Sequence, residues 1–421
     1  VFPQVASWER QLLDTVLARR AEAVELCRGL VGVPSENPPG DTTAIADFVA
    51  NLFRERGISF EIIAPQPHMP NVVATLEGRA SGRHLVFNGH LDTFPVGDKG
   101  QWSVNPFGEV RDGRVYGRGA ADMKGGVTAS LMAFFLLAEH RDKWCGRASI
   151  TLVSDEETGG RWGTEYLLTH YPRLRGDAVL NGEPSSPGIC FFGEKGQHWY
   201  KFRVRTKGGH SAYAYQRQSA IDVLLELARA LKEFEELPIT APPGVVAAME
   251  QAQEAYDAAR TPGAAEAVLR TSCNVGIIRG GTKVNMLAED AEAEVDFRLP
   301  PGVDPIVLHE FLDKVMARFP NVEMTLIKET PGTLSHIDNP ILQCVRSAAE
   351  DVTGGPVYPA VSLGGTDIRF WRLHGVDSAV YGPTHQNMGS PDEYITIDDL
   401  MKACAVHTLA SFRYLQQGKD P

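Results

Sequence analysis

At 421 residues the chain is too long for one ordinary hydrophobic core, so two domains are expected. A formal charge of −12 and a pI near 5.5 argue against nucleic-acid or anionic-membrane partners, which need basic surfaces. Six scattered cysteines without a Cys-x-x-Cys pair read as reduced thiols, mostly in core positions. The strongest apolar run, Ser130 to Ala138, falls well short of the roughly 20 residues that span a bilayer. Val1-Phe2-Pro3 opens no signal-type segment. Together these features predict a cytoplasmic protein.

In chain order, Trp8, Leu12, Val16, Leu17, Val24 and Leu30 recur at helical spacing and predict one amphipathic helix over the first thirty residues. Ser35 to Gly40 ends it, and a second helix is expected from about Thr43 to Arg56. Short β-rich runs follow at 71–76, 84–88, 148–154 and 178–180, with a long helix at about 125–140 between the second and third. That alternation predicts an α/β domain with a mainly parallel sheet. The pattern changes near Gly193 to Gly196. Strand signals at 199–205, 274–278, 291–299 and 322–327 interleave with helices at about 220–235 and 305–319, and an Ala/Glu-rich insertion occupies 250–270. This βαββαβ order predicts a small α+β module with an antiparallel sheet covered on one face. After about Glu329 the α/β pattern resumes, so the module is an insertion.

Four segments carrying carboxylates or imidazole lie where strands should end: His90-Leu91-Asp92, Asp122, Asp155-Glu156-Glu157 and Glu183. One His with several carboxylates at parallel strand ends is ligand chemistry for zinc, manganese or cobalt. A lone His at a strand end is as a rule structural. Asp92, two residues on, changes that reading because it can accept the second imidazole N–H and fix the tautomer. Asp122 sits in a glycine-rich stretch, Gly117 to Gly126, that lacks the third Gly of a dinucleotide fingerprint and the Gly-Lys-Ser/Thr end of a phosphate loop. That leaves a helix N-cap or a metal-bridging carboxylate. In the Glu156-Glu157 pair, one carboxylate can bind metal while its neighbour acts on water. A hydrolase is the leading reading.

The spans Phe87–Asp92, Arg114–Gly126, Ser154–Gly160 and Gly182–Pro184 resemble the M20 metallopeptidase/amidohydrolase family, of the acetylornithine deacetylase, succinyl-diaminopimelate desuccinylase and carboxypeptidase G2 type. The similarity covers nearly the whole chain. It implies a discontinuous catalytic domain at 1–196 and 330–421, with an inserted lid and dimerisation domain at 197–329. A homodimer through the lid, or a higher homo-oligomer, follows. Carried over by resemblance, Asp122 would bridge two metals, His90 and Glu183 would complete one site, and Glu157 would serve the other. Glu156 would be the general base, and Asp92 would act beside His90. His210, in Gly208-Gly209-His210-Ser211-Ala212, resembles an oxyanion donor that reaches a neighbouring subunit. Asn285 and Arg298 match positions that hold a substrate carboxylate, a task suited to the Arg fork. Gly364, Gly365 and Thr366 look like a substrate loop.

The pattern departs in one place. Counting back from Glu393 puts Gly389 where the family carries its last metal-binding His. His385 is then either a displaced ligand, a substrate contact or a packed residue. Without it, the second site keeps only Asp122, Glu157 and water, an oxygen-only shell that holds a transition metal weakly. The leading reading is hydrolysis of a C–N bond in a small carboxylate-bearing substrate, of the N-acyl amino acid deacylase or peptidase type. One alternative is an aminohydrolase that releases ammonia from an electron-poor aromatic amine, like a 5-nitroanthranilate aminohydrolase. Another is an inactive M20-like binding protein, although only one ligand position departs.

Overall fold

A computed structural model describes residues 6–417; the chain start, on which the absence of a signal-type segment was read, lies outside them. The chain divides into two compact units. The first comprises the residues up to Phe192, Ser335–Ala360 and those from Thr366; the second comprises Gly193–Leu334 and Val361–Gly365.

The first unit is built on one mixed sheet. Across it run Phe60–Ile63, Asn71–Glu77, Arg147–Val153, His84–His90, Ala178–Asn181, Asp377–Val380 and Ile189–Glu194. The strands from Arg147–Val153 to Asp377–Val380 pair in parallel, and the pairings toward both edges are antiparallel. The parallel strands are almost wholly buried, as expected where helices cover both faces.

The helices Gly125–Glu139 and Ile397–Gln416 pack against one another, and every residue from 125 to 137 is buried. The segment Ala120–Glu139, 20 residues long, passes for a membrane span by length and composition alone, yet 94% of its 18-residue apolar window is buried inside the fold. Its apolar character serves the core.

Two further differences concern local elements. The single N-terminal helix is two, Ser7–Ala18 and Arg20–Gly32, broken at Arg19 where ψ is 19°. No Pro or Gly marks the break; it falls where the Arg19 guanidinium donates to both carboxylate oxygens of Glu139, at 2.8 and 2.7 Å. A small antiparallel sheet, Phe107–Arg111, Arg114–Gly117 and Tyr394–Thr396, was not expected. Its hairpin turns at Asp112-Gly113, both with positive φ, and an Asp-Gly pair is a strong hairpin signal. The sheet matters because it brings Glu393 beside Gly117, whose N–H donates to the Glu393 carbonyl at 2.9 Å.

The second unit has a four-stranded antiparallel sheet in the order Ser272–Gly280, Asp290–Leu299, Gly196–Arg205, Val322–Thr330. Period-2 alternation turns Ala291, Ala293, Val295, Phe297 and Leu299 inward. They pack with Leu224 and Leu227 of the helix Ala220–Lys232 and with Leu308 and Phe311 of the helix Ile306–Met316. The 250–270 insertion is helical, at Pro243–Ala259 and Ala264–Leu269. It is tied down by the Tyr256 hydroxyl, which donates to the Val361 carbonyl at 2.9 Å, and by Lys195 Nζ, which donates to the carbonyls of Ala267 and Arg270 at 2.8 and 2.5 Å.

Candidate metal centre

His90 is the last residue of its strand, paired in parallel with Val153, and the neighbouring strand ends at Asn181. The turns that carry Glu156, Glu157 and Glu183 therefore leave the same carboxyl edge of the sheet, where open α/β sheets place their ligands. Asp122 comes from another direction, on the turn Ala120–Lys124 that leads into the helix Gly125–Glu139. The helix begins at Gly125, so Asp122 is not its N-cap.

Glycines let these segments meet. A Cβ on Gly126 would lie 1.8 Å from the Gly182 carbonyl oxygen, and one on Gly382 would lie 2.2 Å from the same oxygen. Three backbones touch there directly, which draws the start of the helix onto the turn that bears Glu183.

The result is a compact ligand group. His90 Nε2 lies 3.0 Å from Asp122 Oδ1 and 3.4 Å from Glu183 Oε1, and one donor atom from each of the three residues falls within 4.8 Å of the others. No other such group of three occurs among the described residues, and neither Glu157 nor His385 joins it within that spread. His385 is half-buried on the loop before Glu393. Gly389 has φ of +74° and presents only backbone, its carbonyl accepting from Arg118 Nη2 at 3.1 Å.

One expected contact is corrected. His90 Nδ1 lies 2.9 Å from the backbone carbonyl of Asp92, while the nearer carboxylate oxygen is at 3.6 Å, outside hydrogen-bond range. The tautomer is thus fixed by the Asp92 backbone. The Asp92 carboxylate is turned instead to the next strand end, where it accepts from the N–H groups of Glu156 and Glu157 at 3.2 and 3.1 Å and from Asn37 Nδ2 at 2.9 Å. Asp155, with φ of +78°, completes this elbow by accepting from the Thr158 hydroxyl and from the Trp162 N–H.

The electrostatics of the group are those of a cation site. Burial, and then the charge of Asp122, push Glu183 up to about 8 and Glu157 up to about 11. Burial works against a charged His90, yet Asp122 and Glu183 outweigh it and hold the imidazole well above its usual value. One buried Glu157 oxygen has no hydrogen-bond partner. Crowded carboxylates that take up protons in the absence of a metal, with an orphaned buried oxygen beside them, fit a divalent ion. Removing the ion with a chelator should lower the melting temperature, since an ion at about 100 times its Kd stabilises the fold by about 2.7 kcal/mol. Calorimetry with and without EDTA measures this, and an unchanged melting temperature would show that the group holds no ion.

A second layer, missed from sequence, holds the Asp122 turn. Glu393 Oε1 accepts from the N–H groups of Ala121 and Asp122 at 3.0 and 3.3 Å, and Glu393 Oε2 accepts from Arg118 Nη1 at 2.5 Å. Arg118 also reaches the carbonyls of Pro95, Gly389 and Ser390. The signal in the sequence is Glu393 itself, a carboxylate four residues after Gly389.

The remaining expected site residues lie mostly in the second unit. His210 is exposed, its Nδ1 accepting from Ala212 N–H at 3.2 Å; the next residue, Ser211, donates to the Asn285 carbonyl at 3.1 Å. Arg298 uses Nε on both Asp296 oxygens, at 3.0 and 2.8 Å, and its two Nη groups have no hydrogen-bond partner among the described residues. A Cβ on Gly365 would lie 2.5 Å from Gln197 Nε2, so the tip of that side chain rests against the glycine; Gly364 precedes it, and Thr366 belongs to the first unit.

The sequence model of peptidase family M20/M25/M40 matches residues 86–412. A succinyl-diaminopimelate desuccinylase of Methylocella silvestris is 28% identical over 400 residues, 91% of this chain and 96% of that one. The crystal structure of the M20 family metallo-carboxypeptidase Sso-CP2 from Sulfolobus solfataricus aligns with a TM-score of 0.77 at 22% identity, covering 94% of this chain and 98% of that one. The Bacillus subtilis YXEP protein, a dinuclear metal binding peptidase from the M20 family, aligns at 0.67 and 15% identity, covering 94% and 99%. With the family's match spanning most of the chain and the ligand group assembled at the sheet edge, the chain belongs to peptidase family M20/M25/M40 and is a metal-dependent hydrolase of C–N bonds.

Proposed function

We propose that the substrate is a small carboxylate-bearing amide, of the N-acyl amino acid or dipeptide kind, and that hydrolysis is carried by Glu156 beside the His90–Asp122–Glu183 group. The observation that carries this reading is the division of labour at the elbow. Glu156 stands outside the ligand group, its backbone held by Asp92 and its carboxylate 12% exposed, while Glu157 is turned inward with a buried oxygen to offer.

His90, Asp122 and Glu183 would hold a zinc, manganese or cobalt ion; Asp122 and Glu157 would hold a second, more labile one. When bound, such an ion supplies a Lewis acid that polarises a carbonyl and brings the pKa of water toward about 7. The Glu156 carboxylate takes a proton from the attacking water and returns it to the leaving nitrogen. Asp92 keeps His90 and the elbow in register. We assign His210, as an oxyanion donor, and Asn285 and Arg298, as partners of the substrate carboxylate, to the second unit, through which the chain would form a homodimer. The unpartnered Nη groups of Arg298 support that role.

The test is product analysis of Mn- or Zn-loaded protein with N-acyl amino acids, N-succinyl amino acids, dipeptides and aminobenzoates. Stoichiometric carboxylate and amine from the amides are expected. Ammonia from the aminobenzoates alone would replace the proposal with the aromatic aminohydrolase reading.

A further inference from the structure

We infer that Arg369 is the positioning residue for the Glu156 carboxylate, an inference that rests on Glu156 acting as the general base. Arg369 lies three residues past Thr366, inside the short helix Ile368–Leu373, and its side chain is 3% exposed. The guanidinium is fixed from two sides. Nη1 donates to the Thr366 carbonyl at 2.5 Å and Nη2 to the Gly159 carbonyl at 2.9 Å, and the group lies 4.5 Å from the centroid of the Phe370 ring. From that anchored position Nη1 also lies 3.4 Å from Glu156 Oε1. Gly159 belongs to the same elbow as Glu156, so one planar fork grips both the backbone of the turn and the carboxylate that the turn presents.

Asp367, two positions before Arg369, lies beside the same elbow. Its Oδ2 accepts from the Thr164 hydroxyl at 2.8 Å, and a Cβ on Gly160 would lie 2.6 Å from its Oδ1. The Asp92 and Asp367 carboxylates both repel a charged Glu156. Arg369 is the anchored cation that opposes them. Without it, the carboxylate has reason to swing away from the water it must deprotonate, and misplacement by about 1 Å can cost about 10²-fold in rate.

The test compares Arg369→Ala and Arg369→Lys, each alone and combined with Glu156→Gln, on a substrate identified by product analysis, with kcat, KM and metal content measured for each. Arg369→Ala should lower kcat about 10²-fold with KM within about two-fold and full metal content. Added guanidinium should restore part of that loss. In the Glu156→Gln background the same substitution should cost nothing more, because both changes remove one function. An unchanged kcat, or an equal loss in both backgrounds, overturns the positioning role. A drop in metal content overturns it too, by placing the effect on the ligands. Wild-type turnover in Glu156→Gln alone overturns the general-base reading instead, and is recognised without any Arg369 variant. If Arg369→Ala does not fold, Arg369→Lys carries the test: lowered kcat at unchanged KM, lost in the Glu156→Gln background, supports the role, and wild-type kcat overturns it.

Discussion

Replacing Glu156 with Gln should leave the chain folded and metal-loaded and lower turnover by about 10²- to 10⁴-fold, the range expected for the general base proposed above. The amide has the shape of the carboxylate and can keep a hydrogen bond from Arg369 Nη1, so the 3.4 Å contact survives while the basic oxygen is lost. The ligand group of His90, Asp122 and Glu183 does not include Glu156, so bound metal measured by mass spectrometry stays at the wild-type level. Glu157→Gln, one residue on, should differ, because its buried oxygen faces the crowded carboxylates and its loss weakens metal retention. Undiminished kcat in Glu156→Gln would remove that residue from the chemistry.

The largest expected loss of stability comes from Glu393→Ala. The Arg118–Glu393 pair is buried, with side chains 5% and 1% exposed. Burial pushes Glu393 up to about 7 even against Arg118, so the intact pair adds little by itself. Removing one member is another matter. Arg118→Ala strands a carboxyl that can take up a proton; Glu393→Ala strands a guanidinium that cannot lose one. Truncating one partner of a buried pair costs about 3–5 kcal/mol. The carbonyls of Pro95, Gly389 and Ser390 around Arg118 place this case near the lower end. Metal affinity should fall as well, because Glu393 holds the N–H groups of Ala121 and Asp122. Denaturant melts and metal titration measure the two effects. Replacing both partners, Arg118→Met with Glu393→Leu, should recover stability but not metal affinity. A loss under about 1 kcal/mol in Glu393→Ala, the value of an exposed pair, would contradict this account.

The centre was legible in sequence where periodicity places residues. His90, Glu156, Glu157 and Glu183 each follow a short apolar run, and parallel strands bring such ends to one edge, so their meeting follows from strand assignment. Asp122 was legible through its glycines, which the close approach to Gly182 explains. What escaped was whatever depends on side-chain direction or long separation. Asp92 stands two residues from His90 in either case, yet its carboxylate serves the Glu156 elbow, because the imidazole meets the nearer backbone carbonyl first. Arg369 is 213 positions from Glu156, and Glu393 is 272 from Ala121; no local pattern encodes such pairs. Asp112-Gly113 is a local turn signal readable from sequence, whereas the break at Arg19 carries no turn residue at all.

The contact among Gly126, Gly182 and Gly382 has a bearing on how such an enzyme can be remade. With a Cβ at Gly126 only 1.8 Å from a neighbouring carbonyl, the corner admits no side chain, and any substitution there would force apart the backbones that bear Asp122 and Glu183. Directed evolution toward new amides should therefore return changes around the residues proposed for the substrate, His210, Asn285 and Arg298, and leave the glycine corner untouched, a fixed seat on which different substrate preferences can be mounted.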